Sequence, residues 1–173
     1  MARTTATKTN EAVNKEPEEI REEELNLDKL VTLRSIANWT TGFARKTTQG
    51  DVSIAPKGLI RLTRNEVIAQ AQTPNSLITG ENGTGDHPTL IIEDEPTRHY
   101  LGFDNAKVFS NEVVTELFKI NNQEEFENAV KDAIVTRAEK HSVMTAVLEL
   151  GLNDYSKIRF LENYTGYRMD RLN

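Results

Sequence analysis

The sequence contains no cysteine among its 173 residues. That absence excludes a disulfide framework, a cysteine-based zinc finger, an iron–sulfur cluster and a thiol nucleophile. Aromatic residues are sparse, at 6%, with a single Trp. Long apolar runs are missing: none approaches the roughly 20 residues that span a bilayer. The first residues, Met1-Ala2-Arg3-Thr4-Thr5-Ala6-Thr7, lack the apolar stretch of a signal peptide. Positive charge is also in deficit. The net charge is −6. Residues 1–30 and 108–173 are each acidic, whereas residues 31–107 are neutral. No basic patch accumulates, which argues against direct nucleic-acid binding. These absences predict a chain that neither spans a membrane nor grips nucleic acid.

Three regions differ in pattern. Residues 1–30 are predicted to form an extended arm, because residues 1–24 offer almost nothing to bury beyond Val13 and Ile20. Pro17 followed by acids could open a short helix. Leu25, Leu27 and Leu30 are the arm's one apolar cluster, read either as the lead-in to a strand or as a docking motif. Residues 31–107 are predicted to be a small β-barrel or β-sandwich domain. Short runs at Leu30–Ile36, Asp51–Ile54, Leu59–Leu62, Leu77-Ile78 and Leu90–Ile92 are separated by Gly and Pro, including Gly42. Thr63 to Glu66 has the spacing of a capping box and opens a helical turn to Gln72. Residues 108–173 are predicted to be a C-terminal helical bundle. Asn122 with Glu125, and Thr136 with Glu139, mark helix starts, while Gly151 and Gly166 mark stops. The expected class is therefore α+β: an extended N-terminal arm, a β domain and a helical domain.

Chemistry-bearing patterns are few. Gly80-Glu81-Asn82-Gly83-Thr84-Gly85-Asp86-His87 is the one conspicuous loop. A phosphate cradle of the Walker type needs a Gly-Lys-Ser/Thr ending that opens a helix. Here Asp86 and His87 precede Pro88 and a β-like run, and the acid would repel phosphate. A metal site would have to gather Asp86 and His87 with Glu93, Asp94, Glu95 or His99, and neighbouring acids on a strand point to opposite faces. The plainer reading is an exposed hairpin loop with Asn82-Gly83 at its tip. Glu93-Asp94-Glu95 before Pro96 reads as a solvated strand end rather than as paired catalytic carboxylates. Trp39 and Phe43 serve either as core or as partner anchors. No Gly-x-Ser-x-Gly elbow is present. The expectation is a protein that is not an enzyme, with no cofactor and no metal. Its candidate partner-binding residues are Leu25, Leu27, Leu30, Trp39, Phe43, Asn82, Gly83, Asp86 and His87.

A resemblance adds to this. Leu33-Arg34-Ser35-Ile36, Trp39, Phe43-Ala44-Arg45, Gly50-Asp51-Val52, Gly58, Arg61-Leu62-Thr63-Arg64, Gly83-Thr84-Gly85-Asp86-His87 and Leu101-Gly102-Phe103 carry it in the β region. Val135-Thr136-Arg137-Ala138-Glu139-Lys140 and Asn153-Asp154-Tyr155-Ser156-Lys157-Ile158-Arg159-Phe160 carry it in the helical region. Over about residues 31–168 the chain resembles small head-associated auxiliary proteins of tailed bacteriophages and prophages of Gram-positive hosts. The resemblance implies a structural, decoration-type protein of the virion, assembled in the host cytoplasm. The implied partners are the major capsid protein or other virion subunits, with homo-oligomer formation left open. It implies no catalytic residues. Extended, an arm of about 24–30 residues would reach roughly 80–100 Å along such subunits. Two other readings compete. One is an intracellular phage regulator contacting a host or phage protein through the acidic helical domain. The other is an enzyme that brings Asp86 and His87 to a distant carboxylate.

Overall fold

The computed structural model describes residues 25–172. The fold is α+β. Its strands are β1 (Leu30–Ser35), β2 (Thr41–Ala44), β3 (Asp51–Ile54), β4 (Leu59–Thr63) and β5 (Leu90–Ile92). Its helices are α1 (Arg64–Gln72), α2 (Ser76–Thr79), α3 (Glu95–Tyr100), α4 (Asn111–Lys119), α5 (Gln123–Ala133), α6 (Arg137–Glu149) and α7 (Tyr155–Thr165), and a 3₁₀ turn follows at Met169–Arg171.

β1 is the centre of an antiparallel sheet ordered β4-β1-β5, in which Val31 pairs with Leu62 and Leu33 with both Ile60 and Ile92. Period-2 alternation explains its two faces. Val31, Leu33, Leu62, Leu90 and Ile92 are buried in one core with Val52 and Ile54 of β3, Val67 of α1, Ile78 of α2 and Phe103. Ile91, on the opposite face, joins Ile36 and Ala37 in a second core made mainly by the helices.

The expected barrel does not form among the described residues. β2 and β3 make a separate two-stranded ribbon. The strands have only 3 to 6 residues, and the β2–β3 ribbon with α1 and α2 covers one face of the sheet while the C-terminal helices cover the other. Three local expectations also change. Gly42, expected to break structure, lies inside β2 opposite Ser53. Leu77-Ile78 is not a strand but part of α2, because the Asn75 side chain accepts from the Leu77 amide and caps the turn. Glu93-Asp94-Glu95 is not a strand end throughout, since Asp94 caps α3 and Pro96 occupies its first turn.

The helical part is built on caps and an apolar stripe. The side chains of Ser110, Asn122, Thr136 and Asp154 each accept from an amide in the first turn of α4, α5, α6 and α7. Gly166, with φ +76°, closes α7 in the left-handed conformation. Phe126 and Val130 of α5, Val143, Met144 and Val147 of α6, and Leu161 of α7 are all buried in the second core. Phe118, Phe126, Phe160 and Tyr164 run through it as a chain of ring contacts with centroids 5.7–5.9 Å apart.

Candidate functional site

Two polar clusters tie loops to the body of the fold. The first fastens the chain that enters β1. Arg64 opens α1 and is buried. Its guanidinium donates to the Asn26 carbonyl at 2.8 Å, to Asp94 Oδ2 at 2.9 Å and to Thr97 Oγ1 at 3.0 Å. The Arg64 amide donates to the Lys29 carbonyl, and the Asn65 amide to the Leu27 carbonyl. Lys29 Nζ closes the ring on Asp94 Oδ1 at 2.9 Å. Asp94 meanwhile accepts from the amide and hydroxyl of Thr97 at the start of α3. Burial pushes the Asp94 carboxyl up, but the donors from Thr97, Lys29 and Arg64 outweigh it and hold the group well below the usual carboxylate range. Residues 26–29 are thus pinned by a charge network, although their own side chains are exposed.

The second cluster joins the loop at residues 80–88 to α6. Gly80 and Asp86 form a parallel bridge, so the loop is closed on itself and is not a hairpin. A Cβ at Gly80 would overlap the Asp86 carbonyl, and one at Gly85 would come within 2.6 Å of the Phe103 ring. Asp86 Oδ1 accepts the Lys107 amide and Oδ2 the Thr84 hydroxyl, contacts that lower its pKa. The His87 amide returns a hydrogen bond to the Lys107 carbonyl. His87 itself has φ +55°, a backbone region that a side chain of this size seldom adopts. Its Nδ1 lies 2.9 Å from Oε1 of Glu139. Glu139 has no exposed surface, and its Oε2 accepts the amides of Val135 and Thr136 in a complete capping box for α6.

The sequence-selected residues therefore fall in four places. Leu25 is half-buried, whereas Leu27 and Leu30 are 46% and 48% exposed beside the Arg64 cluster. Phe43 packs against the sheet core and Trp39 against the helical core, so the two aromatics do not combine. The Arg137 guanidinium lies over the Trp39 ring at 4.9 Å. Asn82 and Gly83 are exposed at the loop tip, and only Gly83 of the two has a positive φ. Asp86 is half-buried and His87 buried.

Five of the six candidate metal ligands are engaged elsewhere: Glu93 with Arg34, Asp94 with Arg64 and Lys29, His99 with Asp104, His87 with Glu139, and Asp86 with Thr84 and the Lys107 amide. Among the described residues, no three His, Asp or Glu side chains gather in a way that would hold a metal ion. The His87–Glu139 pair does unite a histidine with a distant carboxylate. Both carboxylate oxygens are spent on holding α6 and the loop, and His87 lines neither of the two clefts that flank α6. The pair locks two elements together. Arg64, Asp94 and Glu139 were not selected from sequence. The signals for them were the Asp-x-Pro start of α3 and the Thr136–Glu139 box, neither of which reveals its distant partner.

A third buried carboxylate, Glu66, accepts the amides of Lys46 and Thr47, the Thr47 hydroxyl and the Gln70 amide. Burial raises its pKa, and these donors more than reverse that, to about 2. The expected capping box with Thr63 is only half formed: Thr63 accepts the Glu66 amide, but the Glu66 carboxylate turns to the loop that follows β2. No helix among the described residues is long and apolar enough to cross a membrane. No protein-family model, no curated protein and no solved structure matches this chain.

Proposed function

We propose that this chain is a non-enzymatic structural protein of a tailed phage particle. In this reading it is an auxiliary or decoration protein that binds shell subunits through its N-terminal arm. The observation that carries the reading is the anchor at the arm's root. A chain segment that grips a neighbour transmits tension to the body from which it emerges. Residues 26–29 are held to the body by two backbone amides, by the Arg64 guanidinium on the Asn26 carbonyl, and by the Arg64–Asp94 ion pair beneath them. Charged hydrogen bonds of this kind resist such tension better than a few exposed apolar contacts. Leu27 and Leu30 stand exposed at the same place. Together they supply an apolar footprint where the arm would begin. β4 pairs only with β1 among the described strands, so its outer edge is open to a partner strand.

Two experiments test this. Quantitative mass spectrometry of purified particles should count the chain at tens to hundreds of copies, in fixed ratio to the major shell protein. Absence from particles would discard the virion reading and leave a soluble partner of the acidic helices as the alternative. Removing residues 1–24 should abolish co-sedimentation with heads while leaving the folded body intact. Undiminished binding would reject the arm as the clamp.

A further inference from the structure

One of the two clefts beside α6 has no part in the particle reading. It is open to solvent, holds about 450 Å³ and has Asn38, Lys57, His141, Tyr167 and Arg171 among its lining residues. Its walls come from four separate places: the turn after β1, the β3–β4 turn, α6, and the C-terminal segment around the 3₁₀ turn. Among the described residues no carboxylate lines it, in a chain whose net charge is −6. Lys57 and Arg171 make no ion pair among the described residues. Two exposed cations therefore border one concave space that no carboxylate among the described residues lines.

Two further features mark the same cleft. Lys57 has φ +52°, a left-handed conformation that glycine or asparagine adopts at lower cost. Its amide is tied to the Ala37 carbonyl at 2.7 Å, which fixes that conformation. A strained lysine at a turn where a less strained residue would serve is a mark of function. His141 has a buried Nδ1 with no hydrogen-bond partner. An orphaned lone pair costs less than an orphaned N–H, so the favoured neutral tautomer carries its proton on Nε2. Burial first, and then the Lys57 ammonium, disfavour the imidazolium. The Tyr167 ring meets the imidazole edge-on, with centroids 5.2 Å apart, and holds it in place.

We propose that this cleft binds a small phosphate-bearing anion, with Lys57 and Arg171 supplying its counter-charge and His141 an N–H donor. A phosphate carries a charge of roughly −1.5 to −2 near neutral pH, which matches two cations. The guanidinium fork suits two phosphate oxygens at once. The cleft falls in the size range of small-molecule sites, roughly 300–1,000 Å³, so it also has room for the organic part of a phosphate monoester. Free phosphate and a monoester share the recognised group.

The test is a titration of the full chain, in phosphate-free buffer, with inorganic phosphate and separately with glycerol phosphate. Backbone amide and imidazole NMR signals report binding. Saturable shifts at Lys57, His141 and Tyr167 are expected with at least one probe. Tighter binding of glycerol phosphate would assign the rest of the cleft to an organic moiety, and equal binding would assign the site to phosphate itself. Lys57→Asn keeps a residue suited to the left-handed turn, so the fold should remain while affinity falls about tenfold or more. Arg171→Gln should do the same. The proposal is overturned if neither probe saturates up to about 10 mM, or if both variants bind as tightly as the parent.

Discussion

The sheet half and the helical half bury charge in different ways. In the sheet half, Arg64 and Glu66 are almost wholly enclosed, and each meets several partners from loops or from another element. In the helical half the enclosed cation is Lys157. Its Nζ donates to the Phe118 carbonyl at 2.6 Å and lies over the Phe118 and Phe126 rings at 5.7 and 5.5 Å. That carbonyl lies in the last turn of α4, where helix carbonyls lack internal partners and positive charge is favoured. The difference follows from apolar mass. Strands of 3 to 6 residues joined by polar loops cannot be fixed by their own hydrophobic faces, so charged side chains pin the loops. The helices bury a stripe of aliphatic and aromatic side chains and use enclosed charge only to finish helix ends, at Lys157 and Glu139.

This contrast can be broken most sharply at Arg64. Arg64→Ala leaves Asp94 with Lys29 as its remaining counter-ion, frees the Asn26 carbonyl and removes a buried side chain, so a loss of about 3–5 kcal/mol is expected in urea unfolding. Hydrogen exchange at residues 26–30 should rise in the same variant. Phe126→Ala is the matching cut in the helical half. It should cost about 3–5 kcal/mol through the cavity it leaves, but without any change in protection at residues 26–30. Equal loosening of that root by both variants would dissolve the distinction.

Glu139→Ala cuts the seam between the halves. It removes the capping box and strands the amides of Val135 and Thr136, for an expected loss of about 2–4 kcal/mol. His87 would also be released from its partner, so its ring signals should broaden or move.

Acid should separate the halves next. The folded pKa of Glu66 is depressed from 4.5 to about 2, and that of Asp94 is depressed further below its ordinary value. Depressed carboxylates contribute stability that is fully present above the unfolded pKa and is lost as pH falls through the folded one. Stability should therefore decline from about pH 4.5 towards pH 2, and amides of β2, β4 and α1 should lose protection before those of α5 and α6. Simultaneous loss in both halves would show that acid acts elsewhere. The smallest effect is expected at Lys157. Lys157→Met keeps the aliphatic stem and forfeits one hydrogen bond, two ring contacts and a 3.6 Å ion pair with the half-exposed Asp154, a change of about 1 kcal/mol measurable by calorimetry.

The parts of the fold legible in sequence were those whose signals are local. Val31 and Leu33 alternate with polar neighbours, which made β1 readable, and Asn122, Thr136 and Gly166 announced helix ends. β2 was hidden because Thr41-Gly-Phe-Ala is short and carries a residue that normally interrupts strands. α3 was hidden because Asp94 sits among three consecutive acids and only the fold distinguishes its buried carboxylate from its exposed neighbours. The apolar pair Leu77-Ile78 suits a strand as well as a helix, and the Asn75 cap decides between them. Sequence picked out Asp86 and His87 but not what they do, because Lys107 and Glu139 lie 21 and 52 positions away. Long-range polar partners leave no periodic trace. Arg64 passed unnoticed for the same reason: a basic residue at a helix start is ordinary until Asn26 and Asp94 are placed around it.

Ser142 of α6 donates to the Ile36 carbonyl at 2.8 Å, across 106 positions of the chain. Ile36 and the adjoining Ala37 are 4% and 0% exposed in the finished fold, yet the helices that cover them are made last. At roughly 5–20 residues per second of synthesis, these two residues wait roughly 5–20 s on the ribosome before α6 emerges. The first strand thus leaves the tunnel with one flank uncovered, and how well the nascent chain is shielded during that interval governs its yield.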